Sequence, residues 1–141
     1  MRVDQRFFID RGVGSRIVPE GLRAAGWSVV TMDEHYGVTE SQRIDDPVWI
    51  REASERGEVL ITKDRNVAKR PFEAEAIAAA EARVLVIASG NLTGQEALAR
   101  LISNEARIEQ AVAGPGPWVL GVYAGKLGHV RLHHGPPVTD E

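Results

Sequence analysis

Val59-Leu60-Ile61-Thr62-Lys63-Asp64-Arg65 is the stretch that decides how this chain folds. Val59, Leu60 and Ile61 form an unbroken apolar run between Gly57 and a charged segment. Such a run suits a parallel strand covered on both faces. Asp64 then stands at the carboxyl end of the strand, where open α/β sheets place their ligands. Phe7-Phe8-Ile9-Asp10 has the same shape and delivers Asp10. A single Asp after a strand commonly starts a turn or caps a helix. Two of them brought to one edge of a sheet point to a metal site.

Outward from these two runs, the pattern alternates strand and helix. Residues 6–10 form the first strand. Ile17, Val18, Leu22 and Ala25 lie at helical spacing, with Ser15 as the expected cap and Gly26 as the stop. Residues 27–32 form the second strand. Residues 33–45 lack periodicity and read as a long functional loop. Asp46-Pro47 then opens a helix that runs to about Arg56, with Asp46 as N-cap and Pro47 at the first helical position. After the Asp64 strand come a helix over 72–82 and a fourth strand over 83–88. Thr93 and Glu96 have capping-box spacing and open the longest helix, 94–112. Gly114-Pro115-Gly116-Pro117 stops it. A hairpin is expected over about 117–133 and a frayed tail over 135–141. Strand and helix in alternation predict an α/β fold of three layers, α/β/α, around a mostly parallel sheet of four to five strands.

The chain has 141 residues, enough for one domain with its own core, here about 6–112. It has no apolar run near the roughly 18 residues of a membrane helix. The segment Met1–Arg6 lacks the apolar centre of a signal peptide. There are no cysteines, which excludes disulfides and thiolate metal sites and fits a cytoplasmic protein. A net charge of −3 gives no global field for nucleic acid, so any phosphate contact must be local.

If the second strand lies on one side of the first and the Asp64 strand on the other, Asp10 and Asp64 flank a topological switch point. Glu34 follows the second strand and Asp46 opens a helix near the same edge, so both are candidates for the site. Asp33 is an alternative to Glu34. Converging carboxylates repel one another, and a divalent cation relieves that. With oxygen ligands alone, the expected ion is Mg²⁺ or Mn²⁺. Such a site suits phosphodiester hydrolysis. Lys63, Arg65, Lys69 and Arg70 fall within eight residues and would hold neighbouring phosphates. Gly12-Val13-Gly14 lacks the third glycine of a dinucleotide loop. The histidines, His35, His129, His133 and His134, show no ligand spacing, and Trp27, Trp49 and Trp118 read as core or interface.

Several pieces resemble PIN-like domains, in particular the branch of VapC-type toxins from bacterial toxin–antitoxin pairs. They are Phe7-Phe8-Ile9-Asp10-Arg11, Leu22 through Val30, Asp46-Pro47-Val48-Trp49-Ile50, Leu60-Ile61-Thr62-Lys63-Asp64 and Arg70-Pro71-Phe72-Glu73. The resemblance is good over residues 6–90 and looser beyond. It implies a PIN-like fold over the single domain 1–141 and a metal-dependent ribonuclease with RNA as substrate and an antitoxin protein as partner. It matches Asp10 to the first-strand acid, Asp64 to the acid of a Thr-x-Asp motif and Asp46 to the acid opening the middle helix. Glu34 is matched less closely. Many such domains carry a further acid two residues after the Thr-x-Asp acid. Here that position is Asn66, which brings no charge and favours one ion over two. A homodimer is left open. The rival expectations are a catalytically silent PIN-like module that binds RNA or protein, and a receiver-like signalling domain. The receiver lacks its expected late Thr and Lys.

Overall fold

The computed structural model describes residues 1–88 and 91–133. The expected frayed tail, 135–141, and His134 lie outside the described residues. The elements in chain order are β1 (Arg6–Ile9), α1 (Ile17–Ala24), β2 (Ser28–Thr31), α2 (Met32–Tyr36), α3 (Val38–Ser41), α4 (Asp46–Glu55) and β3 (Val59–Thr62). They continue with α5 (Pro71–Ala80), β4 (Arg83–Ile87), α6 (Gly94–Ser103), α7 (Glu105–Val112), β5 (Trp118–Tyr123) and β6 (Lys126–His129).

The strands form one sheet in the order β2-β1-β3-β4-β5-β6, parallel except for the β5–β6 pair. Alternating side chains of the central strands serve two cores, because successive residues of a strand point to opposite faces. Phe7, Ile9, Val59, Ile61, Leu85 and Ile87 pack with Val18 and Leu22 of α1, Leu101 of α6 and Ile108 of α7. Phe8, Leu60, Val84 and Val86 pack with Trp49 and Ile50 of α4 and Ile77 of α5. This is the expected three-layer α/β/α arrangement. Trp27 and Trp49 are buried, as expected of core residues, and Trp49 stacks on Phe8 with ring centroids 5.5 Å apart.

Two helix stops set the strands in place. At the end of α1, Gly26 N–H donates to Arg23 O and Trp27 N–H to Leu22 O, with Gly26 at φ 91°. At the end of α4, Gly57 N–H donates to Ser54 O and Glu58 N–H to Ala53 O, with Gly57 at φ 80°. Both are Schellman motifs, which need the left-handed conformation that glycine adopts without a Cβ penalty. Each turns the chain directly into a strand, β2 in one case and β3 in the other.

The structure corrects the sequence reading at five places. The sheet has six strands rather than four to five, because the expected hairpin joins it: β5 lies parallel to β4, and β6 pairs with β5. Residues 33–45 are not an open loop; α2 and α3 occupy much of the segment, each too short to show a period. The long helix breaks into α6 and α7 at Asn104, whose buried side-chain amide donates to Arg100 O and Tyr123 O. Ser15 does not cap α1; Arg16 precedes it. The N-cap of α4 is Asp45, so Asp46 is its first helical residue. No helix among the described residues is long and apolar enough to cross a membrane.

Candidate active site

The strand order puts β1 between β2 and β3, so the chain reverses direction across the sheet at the β1/β3 gap. Ligands of open α/β sheets bind at such a switch, beyond the carboxyl ends of the strands. Asp10 follows β1 there and Asp64 follows β3. Asp10 N–H donates to Ile61 O at 2.9 Å, which carries the ladder to the last residue. The Thr62 hydroxyl then links the two acids. It donates to Asp10 Oδ2 at 2.8 Å and accepts from Asp64 N–H at 3.0 Å. Thr62 is only 1% exposed, so both bonds are shielded from water.

Asp10 is electrostatically stressed. Burial pushes its carboxyl above the ordinary value, the Thr62 bond pulls it partly back, and the neighbouring Asp46 carboxylate raises it again. Asp46 reaches this place from the first turn of α4. Its Oδ1 accepts from Trp49 Nε1 at 2.9 Å, which ties the carboxylate to a side chain of the core.

Asp64 is held from two sides. Asn66 N–H donates to Asp64 Oδ1 at 3.0 Å, and the Arg70 guanidinium pairs with Asp64 Oδ2. Arg70 is held charged above its ordinary value by the Asp64 bond first, with the carboxylates of Glu73 and Asp46 contributing. One guanidinium therefore stands among three acids. The loop that carries it is pinned by buried Val67 and Ala68, and His133 N–H donates to Ala68 O at 2.8 Å. A polar cleft of about 510 Å³ opens beside Asp46, lined by Arg11, Arg43, Asp45 and Glu73 among others.

Two residues grouped with the site by sequence are engaged elsewhere. Glu34 closes a capping box on Thr31 at the start of α2 and pairs with Arg23 at 2.6 Å. Those bonds hold its carboxyl below the ordinary value, with the Arg23 bond the largest cause. Asp33, the alternative, accepts from the Ser41 hydroxyl. Of the basic cluster, Lys63 donates to Leu92 O at 3.3 Å, whereas Arg65 and Lys69 line a separate cavity. Sequence reasoning missed Thr62 as the link between the acids, although it stands inside the quoted motif. It also missed Arg11, whose guanidinium donates to Ser41 O, and Arg43. Nothing local in the sequence marks either arginine.

Among the described residues, no three carboxylate or imidazole side chains stand together in a set that could hold a metal as they lie. The donors nonetheless fit a hard cation. A buried carboxylate is raised by the charge of a second, Asp46, and the third, Asp64, is joined to it through its backbone N–H and Thr62 and is paired with an arginine. That demand for positive charge is met by a cation with oxygen ligands.

Comparison with known proteins points to one family. The family described as PIN like domain matches residues 5–89. A Mycobacterium tuberculosis protein named as a candidate ribonuclease, VapC45, is 33% identical over 120 residues, which cover 85% of this chain and 87% of that protein. No solved structure matches the chain.

Proposed function

Because the chain belongs to the PIN-like domain family, we propose that it is a Mg²⁺- or Mn²⁺-dependent endoribonuclease that hydrolyses RNA phosphodiesters. The observation that carries this reading is the Asp10–Thr62–Asp64 link at the switch point, with Asp46 facing Asp10. Asp10, Asp46 and Asp64 would hold the ion. When bound, it neutralises charge on the phosphodiester and acidifies the attacking water.

The rest is the work of the chain's own residues. Thr62 holds the Asp10 carboxylate in place through Oδ2. With Asp64 holding the ion, Arg70, which now pairs with Asp64, would be free to take a phosphate oxygen of the RNA. Arg suits that role because its fork matches phosphate geometry. Arg65 and Lys69, exposed on the same loop, hold phosphates further along the strand. Lys63 is left out of this set because its ammonium is tied to Leu92 O. Glu34 is left out of the ion's ligands because its carboxylate caps α2 and pairs with Arg23. Asn66 supplies no charge, so one ion rather than two is proposed.

The VapC name of the relative supports a place in a toxin–antitoxin pair, with a cognate antitoxin protein as partner. The test is cleavage of a mixed RNA pool in Mg²⁺, Mn²⁺ and EDTA. The expected result is cleavage that needs metal and disappears in Asp10→Asn and Asp64→Asn. Intact RNA under all conditions would leave a binding module as the surviving reading.

A further inference from the structure

A second feature lies at the same sheet edge, on the far side of Asp64. Beyond the ends of β3, β4 and β5 there is a cavity of about 390 Å³, lined by Arg65, Asn66, Lys69, Gly121, Tyr123 and Val130 among others. That volume falls within the range of ligand pockets, roughly 300–1,000 Å³. Asn66 connects it to the acids, since its N–H is bonded to Asp64 Oδ1.

One wall of the cavity is an aromatic platform built by a glycine pair. Gly121 of β5 and Gly128 of β6 are directly opposite in the antiparallel ladder. The Tyr123 ring leans back over both. A Cβ at Gly121 would lie 2.9 Å from Tyr123 Cε2, and one at Gly128 would lie 3.0 Å from it. The two bare positions therefore let the ring lie close against the sheet. The backbone beneath is fixed, because buried Asn104 donates to Tyr123 O at 2.8 Å. Covering exposed glycines would by itself account for the ring. It does not account for the rim. Tyr123 is 38% exposed, Lys126 Nζ lies over its ring 5.6 Å from the centroid, and Arg65 and Lys69 border the same space. Among the described residues, the Arg65 and Lys69 side chains have no acidic partner, in a chain whose net charge is −3.

We propose that this cavity is a nucleotide subsite: Tyr123 stacks one unpaired base of the RNA beside the scissile phosphate, while Arg65 and Lys69 hold the phosphates on either side of that base. The inference rests on the ribonuclease reading and adds to it a base-binding place on Tyr123, next to the acids. Cations with no acid among them select a polyanion, and a planar base can take the place over the Tyr123 ring that Lys126 Nζ now holds. Single-stranded RNA offers both, whereas a duplex hides its base faces.

The test uses the full chain and single-stranded RNAs of one cleavable sequence, each with one nucleotide near the cut made abasic. In the wild type, loss of the base at one position should raise KM roughly five- to hundred-fold. Tyr123→Phe should keep that dependence. Tyr123→Leu should lose it and cleave intact RNA with the same raised KM. Lys69→Ser tests the cavity without touching the platform; it should raise KM for every RNA and lower the salt slope by about one. A folded Tyr123→Leu protein with wild-type KM and base dependence would overturn the subsite and leave the nuclease standing. So would Lys69→Ser with unchanged KM and salt slope. Should Tyr123→Leu cleave normally but lose a bound protein partner, the surface belongs to protein and the inference is overturned. Wild-type protein that cleaves no RNA in any metal would remove both readings.

Discussion

Thr62→Val deletes one hydroxyl and keeps the side-chain shape, so it isolates the link between the acids. Two bonds disappear: Thr62 Oγ1 to Asp10 Oδ2 and Asp64 N–H to Thr62 Oγ1. A bond to a charged group contributes about 1.5–3 kcal/mol and a neutral one about 0.5–1.5 kcal/mol. Thr62 is 1% exposed, so water does not replace the lost partner. The expected loss is about 2–4 kcal/mol. For a chain of 141 residues, an unfolding entropy of about 2.1 cal/mol/K per residue gives about 0.3 kcal/mol/K in total. The midpoint should therefore fall by roughly 7–13 °C in EDTA at neutral pH. Thr62→Ser, which keeps the hydroxyl, should lose much less. A second readout is the titration of Asp10 by carbon NMR. The Thr62 bond lowers the Asp10 pKa, so its loss should move that titration further up. The bond favours the ionised carboxylate, so the penalty should be full above the Asp10 pKa of the folded state and shrink below it. A Thr62→Val protein that melts within about 2 °C of wild type, or an unmoved Asp10 titration, would refute the link.

Other expected outcomes concern the neighbouring groups. The raised Asp10 pKa means that the folded chain binds this proton more tightly than the unfolded one, so stability falls as pH rises from 3.8 through the folded value. Asp10→Asn should therefore stabilise the metal-free protein at neutral pH, with the gain vanishing below pH 3.8, as read by urea unfolding across pH in EDTA. Arg70→Ala frees Asp64 from a half-exposed ion pair. It should tighten Mn²⁺ binding by roughly two- to fivefold, the equivalent of about 0.5–1 kcal/mol, while raising the KM for RNA. Glu81, the stop of α5, holds φ 52° without being glycine. Glu81→Gly should relieve that conformation and gain about 0.5–1 kcal/mol in denaturant unfolding.

The parts of this fold that were legible are those written in local pattern. The runs Phe7–Ile9 and Val59–Ile61 announced buried parallel strands, and the acids after them announced the edge of the sheet. Gly26 marked its stop because a Schellman turn requires a residue type the chain displays. What escaped depends on distant partners. The break at Asn104 exists because its amide meets Tyr123 O, 19 residues on. The place of β5 beside β4 is set by packing across the sheet, which no window of sequence contains. Arg70 reaches Asp64 only through the course of the loop between them. Glu34 carried a second reading in the same stretch. Thr31-x-x-Glu34 has the same capping-box spacing as Thr93-x-x-Glu96, and the structure closes both boxes. The cap gives this acid a structural role of its own.

The most direct test of the account is a Mn²⁺ titration followed by electron paramagnetic resonance, on wild type, Asp10→Asn, Asp64→Asn and Glu34→Gln. One ion per chain in wild type and Glu34→Gln, with none in either Asp variant, is the predicted result. Asp10→Asn and Asp64→Asn proteins that bind Mn²⁺ as wild type does would contradict the assignment of the acids at the β1/β3 gap.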